Sequence, residues 1–304
     1  MLNFNIKSVI ASQKVRHQLL KMFSWVPDRI MLPIQYYLIL HRRLHLSAPK
    51  RWTEKIQYYK AYYRNEQMRE CVDKYTVRNY VKSRMGDDSI LNELYQVCNS
   101  ASEIDFDTLP NKFVIKSTDG SNGDNIYICS DKSAIDIAEV RRIVGRWKNR
   151  KLYLVSREWA YSNPMPPKII VEKLLEASNT EDGGGLIDYK FLCFDGKMYY
   201  FWLDVDRFTK HSRVIFNANC ECTDKRITYQ NPSRNIKLPY NIKEMIQVAE
   251  KLSKGFPFAR VDLYNIQGQI VFGEITFYTD SGYASVYPDS FDYELGSYFN
   301  LKWE

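Results

Sequence analysis

Histidine is scarce in this chain: there are four among 304 residues, and only His211 lies beyond residue 45. The six cysteines are scattered, with Cys220 and Cys222 the one close pair. A tetrahedral zinc site needs a second pair or histidines at ligand spacing, so none is expected. A cysteine density this low builds no disulfide scaffold and reads as reduced cytosol. No Ser-His-Asp or Cys-His arrangement stands out, which argues against covalent catalysis of that kind. Long apolar runs are lacking too. The richest window, Ile30 to Leu40, is about half the length of a membrane-spanning helix. Basic residues interrupt the apolar start, so no signal peptide is expected. Internal repeats and low-complexity tracts are missing. With 45% hydrophobic and 26% charged residues, the composition is that of a folded chain, long enough for two or three subdomains around a cleft.

Positive charge is what the chain has in excess. The net charge of +7 suits anionic partners such as nucleotides, uronic-acid sugars or phospholipid surfaces. No recognisable nucleic-acid module is interleaved with it, so nucleic acid is not expected as a partner. Residues 1–51 carry Lys7, Lys14, Arg16, Lys21, Arg29, Arg42, Arg43, Lys50 and Arg51 against one acid, Asp28. Two readings fit this amphipathic arm. It is a helix packed on the body with a solvated basic side, or it lies on an anionic membrane face.

Periodicity predicts helices over 54–86, where Ile56, Tyr59, Lys60 and Tyr63 recur at helical spacing. Ser102 to Leu109 reads as loop. Strands are expected at 113–116 and 126–129, flanking the small-residue loop 117–125. A helix follows over 134–150 and a strand begins at 168. Glu181 to Gly185 reads as a flexible linker. Strands at 188–194 and 198–204, a helix at 242–254, and strands at 258–264 and 270–277 complete the pattern.

Three places carry chemistry. Lys116 leads into Gly120-Ser121-Asn122-Gly123, where backbone N–H groups and a lysine would meet phosphate oxygens. An ordinary turn is the other reading. Arg260 and Asp262 lie on one strand face, and Glu274 and Thr276 on one face of the next. Antiparallel pairing sets Asp262 beside Glu274, and two acids among apolar neighbours favour a cation between them, such as magnesium, over two acids on a solvated sheet face. Glu172 ends a strand before a hinge, where it could accept from an adenine amino group; on this segment alone an ordinary strand end is the stronger reading.

In this order, a strand lysine, a Gly-rich loop, Glu172-Lys173-Leu174-Leu175, Arg260-Val261-Asp262 and a late strand glutamate resemble the ATP-grasp superfamily. The resemblance is closer to its teichuronopeptide-biosynthesis (TupA-like) branch. It is carried by Thr53–Gln57, Val72–Tyr75, Phe113–Gly123, Ser156–Trp159, Asp188–Phe191, Asp204–Phe208, Phe256–Tyr264 and Phe272–Tyr278, across about residues 35–300. It implies an α+β ATP-grasp fold, with nucleotide held between two α+β subdomains and a helical N-terminal region. The expected division is an arm at 1–50, a mainly helical subdomain at 51–110, a small subdomain at 111–175 and a large one at 176–304. By position, Lys74 and Lys116 would bind phosphates and Gly120 to Gly123 would close over them. Glu172, Lys173 and Leu175 would hold adenine and ribose. Lys190 and Arg260 would stabilise the transferring phosphoryl group. Asp262, Glu274 and Thr276 would hold Mg2+.

The implied reaction is ATP-dependent joining of a carboxylate to an amine in cell-surface polysaccharide assembly, with an amino acid and a uronic-acid or lipid-linked glycan as partners. Arg157, Asp206, Arg207, His211 and Arg213 form the expected substrate set, since guanidinium forks suit carboxylates and sugar phosphates. A cytoplasmic protein is expected, with residues 1–50 toward the inner membrane face. Two departures stand out. Thr276 replaces the asparagine usual in the superfamily, and Thr279-Asp280-Ser281-Gly282 replaces the branch's Pro-Gly-Ser-Gly. Three alternatives remain: an ATP-dependent sugar phosphotransferase, a metal-dependent glycosyltransferase using Asp204-Val205-Asp206, and a nonenzymatic nucleotide-binding module.

Overall fold

The computed structural model describes residues 18, 20–120, 125–147, 153–162, 166–176, 186–205, 211–232 and 236–301. Before the first strand lie helices α1 (Asp28–Leu40), α2 (Trp52–Tyr62), α3 (Glu66–Val72) and α4 (Val77–Met85). Glu54 caps α2 by accepting the Lys50 and Arg51 backbone N–H groups at 2.9 and 3.1 Å. Gly86, at φ +96°, ends α4 in the left-handed conformation that glycine tolerates.

A small antiparallel sheet follows, built from β1 (Leu94–Cys98), β2 (Phe113–Ser117), β3 (Ile126–Cys129) and β4 (Ile169–Lys173) in the order β1-β4-β2-β3. Helix α5 (Ile137–Gly145) buries Val140 and Val144 against it, beside Phe113, Ile115 and Val171. Strand β1 lies in a segment read as part of the helical subdomain, yet it is an edge strand of this sheet. Helix α5 is shorter than expected, and residues 148–150 of that expectation lie outside the described residues, as does the linker at 181–185.

After the short α6 (Tyr153–Ser156) comes a five-stranded antiparallel sheet: β5 (Asp188–Phe194), β6 (Lys197–Val205), β7 (Ser212–Asn217), β9 (Phe258–Ile266) and β10 (Gln269–Thr276). Its order is β10-β9-β5-β6-β7. Helix α7 (Ile242–Ser253) turns Met245, Val248, Ala249 and Leu252 inward, the three-four spacing of an amphipathic helix, and packs on β5, β6 and β9. The short β8 (Arg226–Ile227) pairs with β11 (Val286–Tyr287), and α8 (Asp289–Tyr298) packs on α2. One face of the large sheet is therefore core, with Phe191, Leu203, Val261 and Ile275 buried. The other carries charge.

Alternation alone does not sort β10 correctly. Phe272 pairs with Leu263, but Glu274 pairs with Asp262, so Gly273 is an extra residue in a β-bulge. Without it, Glu274 would stand opposite Val261 and point into the core. A Cβ on Gly273 would lie 2.9 Å from the Asp262 carbonyl oxygen, so a side chain is refused there.

Candidate active site

The charged face of the large sheet, the small sheet and the α3–α4 corner enclose a cavity of about 310 Å³. Lys116, Glu172 and Leu175 line it from the small sheet, Lys74 and Arg78 from the helices, and Asp188, Lys190, Asp204, Arg213, Arg260, Asp262 and Glu274 from the large sheet. The acids at 262 and 274 and the lysine at 116 thus face one space.

Register explains the cluster on the large sheet. Asp262 sits between Lys190 on β5 and Glu274 on β10, and Asp204 pairs with Asp188 on one side and Arg213 on the other. Lys190 Nζ lies 2.5 Å from Asp188 Oδ2 and 2.5 Å from Asp262 Oδ2. The Arg260 guanidinium donates to both Asp262 oxygens at 2.7 Å, to Glu274 Oε1 at 3.0 Å and to Thr276 Oγ1 at 3.2 Å.

These contacts fix the charges. Burial pushes the Asp262 carboxyl up to about 6 against the pull of Arg260 and Lys190. Burial would raise Glu274 as well, but Arg260, then Lys190 and Lys74, hold it down at about 2. Burial alone would depress Lys190, yet Asp188 and Asp262 raise it above the ordinary lysine range. Burial lowers Lys74, which donates through its ammonium to the Gly120 carbonyl and through its backbone N–H to Thr118 O at 3.1 Å. Lys74 therefore ties the start of the small-residue loop to the helices.

The remaining expected residues divide. Lys116 donates to Glu172 Oε2 at 2.8 Å, and Arg78 to Glu172 Oε1 at 3.3 Å. The Glu172 carboxylate thus pairs one oxygen with Lys116 on β2 and the other with Arg78 on α4, so an adenine amino group would have to share it with two cations. Lys173 points away from the cavity, with Nζ 3.7 Å from Glu93 on the surface. Alternation along β4 sends it to the face opposite Glu172. Leu175 lines the cavity. Arg157 is not a cleft residue. It donates to Val26 O and Phe23 O at 2.6 Å each and to Asp28 at 2.9 Å, so its burial fastens the N-terminal segment. Ser121, Asn122, Gly123, Asp206 and Arg207 lie outside the described residues.

At the far end of the cavity, Arg213 grips Asp204 at 2.7 and 3.0 Å, and His211 lies 3.3 Å from the same carboxylate while stacking on Tyr229 at 3.7 Å. Asp204, the first acid of the Asp204-Val205-Asp206 motif, is thereby gripped by an arginine fork, as Asp262 is by Arg260. Asp280 borders this end, accepting from Thr228 Oγ1 at 3.1 Å. Asp280 and Ser281 both have left-handed backbones, φ 47° and 54°. Buried groups on α2 hold that turn: Gln57 Nε2 donates to the Ser281 and Gly282 carbonyls at 3.0 Å each, and Lys60 Nζ to Ser281 O at 3.0 Å. Sequence reading missed Arg78, Asp188 and this α2 strut. For Asp188 the signal was available, since Asp188 and Lys190 share a strand face.

Whether the acids fit a magnesium ion turns on how much of the shell the protein must supply. Among the described residues no group of three or more acid, histidine or cysteine side chains converges on one point. Magnesium keeps waters and usually takes one or two carboxylates plus substrate phosphates, so a closed protein cage is not required. Glu274 is 45% exposed toward the cavity and offers an oxygen beyond its Arg260 contact. Asp262 and the Thr276 hydroxyl stand beside it. The donor set fits the ion, with Arg260 as the group that must share these oxygens.

No curated protein gave a match. Among solved structures, D-alanine–D-alanine ligase from Bacillus anthracis is similar at 17% identity and a TM-score of 0.42, over 68% of this chain and 57% of that one. A RimK domain ATP-grasp protein from Sphaerobacter thermophilus is similar at 12% identity and a TM-score of 0.40, over 76% of this chain and 67% of that one. L-amino acid ligase from Bacillus licheniformis is similar at 15% identity and a TM-score of 0.38, over 70% of this chain and 42% of that one. This chain thus spans little more than half the length of the first of them. The model of the TupA-like ATP-grasp family matches residues 54–300. That match covers most of the sequence, and the chain belongs to the TupA-like ATP-grasp family.

Proposed function

We propose that this chain is an ATP-dependent carboxylate–amine ligase, and that the cavity between its two sheets is the Mg-ATP site. One observation carries the reading: Lys116, Lys74, Lys190 and Arg260 converge with the acid pair Asp262–Glu274 on a single space. A triphosphate brings several negative charges, and such a space neutralises them in place. Lys74 and Lys116 hold phosphates under the loop that begins at Gly120. Arg260 and Lys190 face the phosphoryl group in transfer, and Leu175 borders the base. Glu274, Asp262 and Thr276 would hold magnesium, which supplies charge neutralisation on the phosphate oxygens.

In the reaction, a substrate carboxylate oxygen attacks the γ-phosphorus, the bond to the β–γ bridging oxygen breaks, and ADP leaves. An amine then attacks the acyl phosphate carbon, inorganic phosphate departs, and the nitrogen loses a proton. The protein needs no nucleophile of its own; it positions reactants and balances charge. The sequence resemblance to the teichuronopeptide-biosynthesis branch and the net charge of +7 are what favour an anionic glycan partner, a uronic acid joined to an amino acid in cell-surface polysaccharide assembly. A lipid-linked acceptor would set the reaction at the inner membrane face.

The test is a screen for ADP and phosphate release, pairing uronic acids with amino acids. Release that requires both partners, and that falls on the order of a hundredfold or more in Glu274→Gln, supports the reading. ADP release that ignores the amine and yields a phosphorylated sugar makes the chain a phosphotransferase instead.

A further inference from the structure

Helix α1 is apolar on two sides. Met31, Leu32, Gln35 and Tyr36 are buried against the body, while Ile30, Ile34 and Tyr37 are 50, 47 and 58% exposed. The spacing i, i+4, i+7 makes the exposed three one stripe, opposite the buried face. Just upstream, Trp25 is 79% exposed, with Met22 and Phe23 beside it in the chain. A helix on a protein surface normally turns polar side chains outward here. Over the described residues, the outward side of α1 is thus apolar, with Lys21, Arg29 and Arg43 forming its exposed basic rim.

The charges at that rim have one sign. Lys21, Arg29 and Arg43 are exposed and make no ion pair among the described residues. Asp28, the sole acid of the first 51 residues, is taken by Arg157. The stripe is also held in place. Gln35 donates to Val155 O at 3.1 Å and accepts from the Tyr283 hydroxyl at 2.8 Å, and Tyr36 bonds Thr53 at 2.8 Å. Polar bonds on the inner side therefore fix the apolar side outward.

We propose that this face docks α1 in the plane of an anionic lipid surface. Ile30 and Ile34 meet the acyl boundary, Trp25 and Tyr37 sit at headgroup depth, and Lys21, Arg29 and Arg43 lie over lipid phosphates. No helix among the described residues is long and apolar enough to cross a membrane, so contact is interfacial. A second copy of the chain fits less well. A two-fold dimer through this face would bring its basic rim against itself. The inference is independent of the ligase reading, since it invokes no residue of the cavity.

The test is sedimentation of the full chain with vesicles of phosphatidylglycerol and phosphatidylcholine, against phosphatidylcholine alone. Binding to the anionic vesicles that high salt weakens is expected. The triple variant Ile30→Ser, Ile34→Ser, Tyr37→Ser is expected to lower the partition coefficient by about tenfold or more. Trp25→Ser alone, at a site that barely touches the body, keeps the test decisive should the triple variant fold poorly. No binding, or binding that both variants leave intact, overturns the proposal. So does a concentration-dependent dimer that the triple variant abolishes without any vesicle binding.

Discussion

Removing the cation between Asp188 and Asp262 is the sharpest perturbation the charged sheet offers. Lys190→Met keeps the shape of the side chain's stem and removes the ammonium. Lys190 is 8% exposed, and its two carboxylate partners are 4 and 2% exposed. Breaking a buried pair on one side leaves uncompensated charge and costs about 3–5 kcal/mol. For a chain of this size that lowers the melting temperature by about 6–20 °C at neutral pH. The sign of the pH dependence follows from the shifts. Lys190 is raised in the fold, so its contribution is fully present below the ordinary lysine pKa and is lost as pH rises through the folded value. At neutral pH the variant therefore shows its whole deficit. On the acid side the deficit shrinks, because Asp262, poised at about 6, takes a proton and no longer needs the cation. Thermal unfolding of both proteins from pH 7 to pH 4.5, followed by circular dichroism, measures the gap. A deficit under about 1 kcal/mol at neutral pH, or one that stays constant on acidification, refutes the electrostatic argument.

Three further outcomes are expected. Gly273→Ala forces a Cβ to within 2.9 Å of the Asp262 carbonyl, so calorimetry is expected to show a loss of about 1–3 kcal/mol and the Glu274-dependent ADP release is expected to fall with it. Asp292 is buried and raised to about 6, first by desolvation, against the hydrogen bonds from Thr53. The native state therefore binds more protons than the unfolded chain between about pH 4 and pH 6, and stability falls across that window; Asp292→Asn is expected to remove roughly 3 kcal/mol of that fall in pH-resolved denaturant titrations. Arg157→Met deletes three hydrogen-bonded contacts to residues 23–28, so amide exchange is expected to quicken in α1 while the large sheet stays protected.

Much of the site was readable because it is local. Arg260, Asp262, Glu274 and Thr276 belong to one hairpin, and alternation with antiparallel pairing brings them together. Even there, the bulge at Gly273 decides which face Glu274 takes, and strand periodicity cannot show an extra residue. Lys173 was misread for the opposite reason: a hinge motif was taken as a unit, although successive residues of the unbroken strand β4 face opposite ways. Arg157 was unreadable, since its partners lie 129–134 residues away and a basic side chain in a loop looks the same whether it binds substrate or backbone. Strands β1 and β7 and helix α8 escaped notice. Leu94–Cys98 mixes polar and apolar residues on an edge, and Asp289–Tyr298 carries a glycine and few strong helix formers. That Gly296 is a packing residue: a Cβ there would fall 2.0 Å from the Lys50 carbonyl. The α2 segment around Glu54 and Gln57 matched the family pattern, but its work is visible only in three dimensions, as a cap and as the strut under Asp280 and Ser281.

The central claim is that one cavity, between the small sheet and the charged face of the large one, is the nucleotide site. A crystal structure of the protein with Mg-ADP tests it most directly. The account predicts diphosphate density between Lys116 and Glu274, with the metal against the Glu274 carboxylate. Nucleotide bound at another surface, with Asp262 and Glu274 still closed on Arg260, would contradict it.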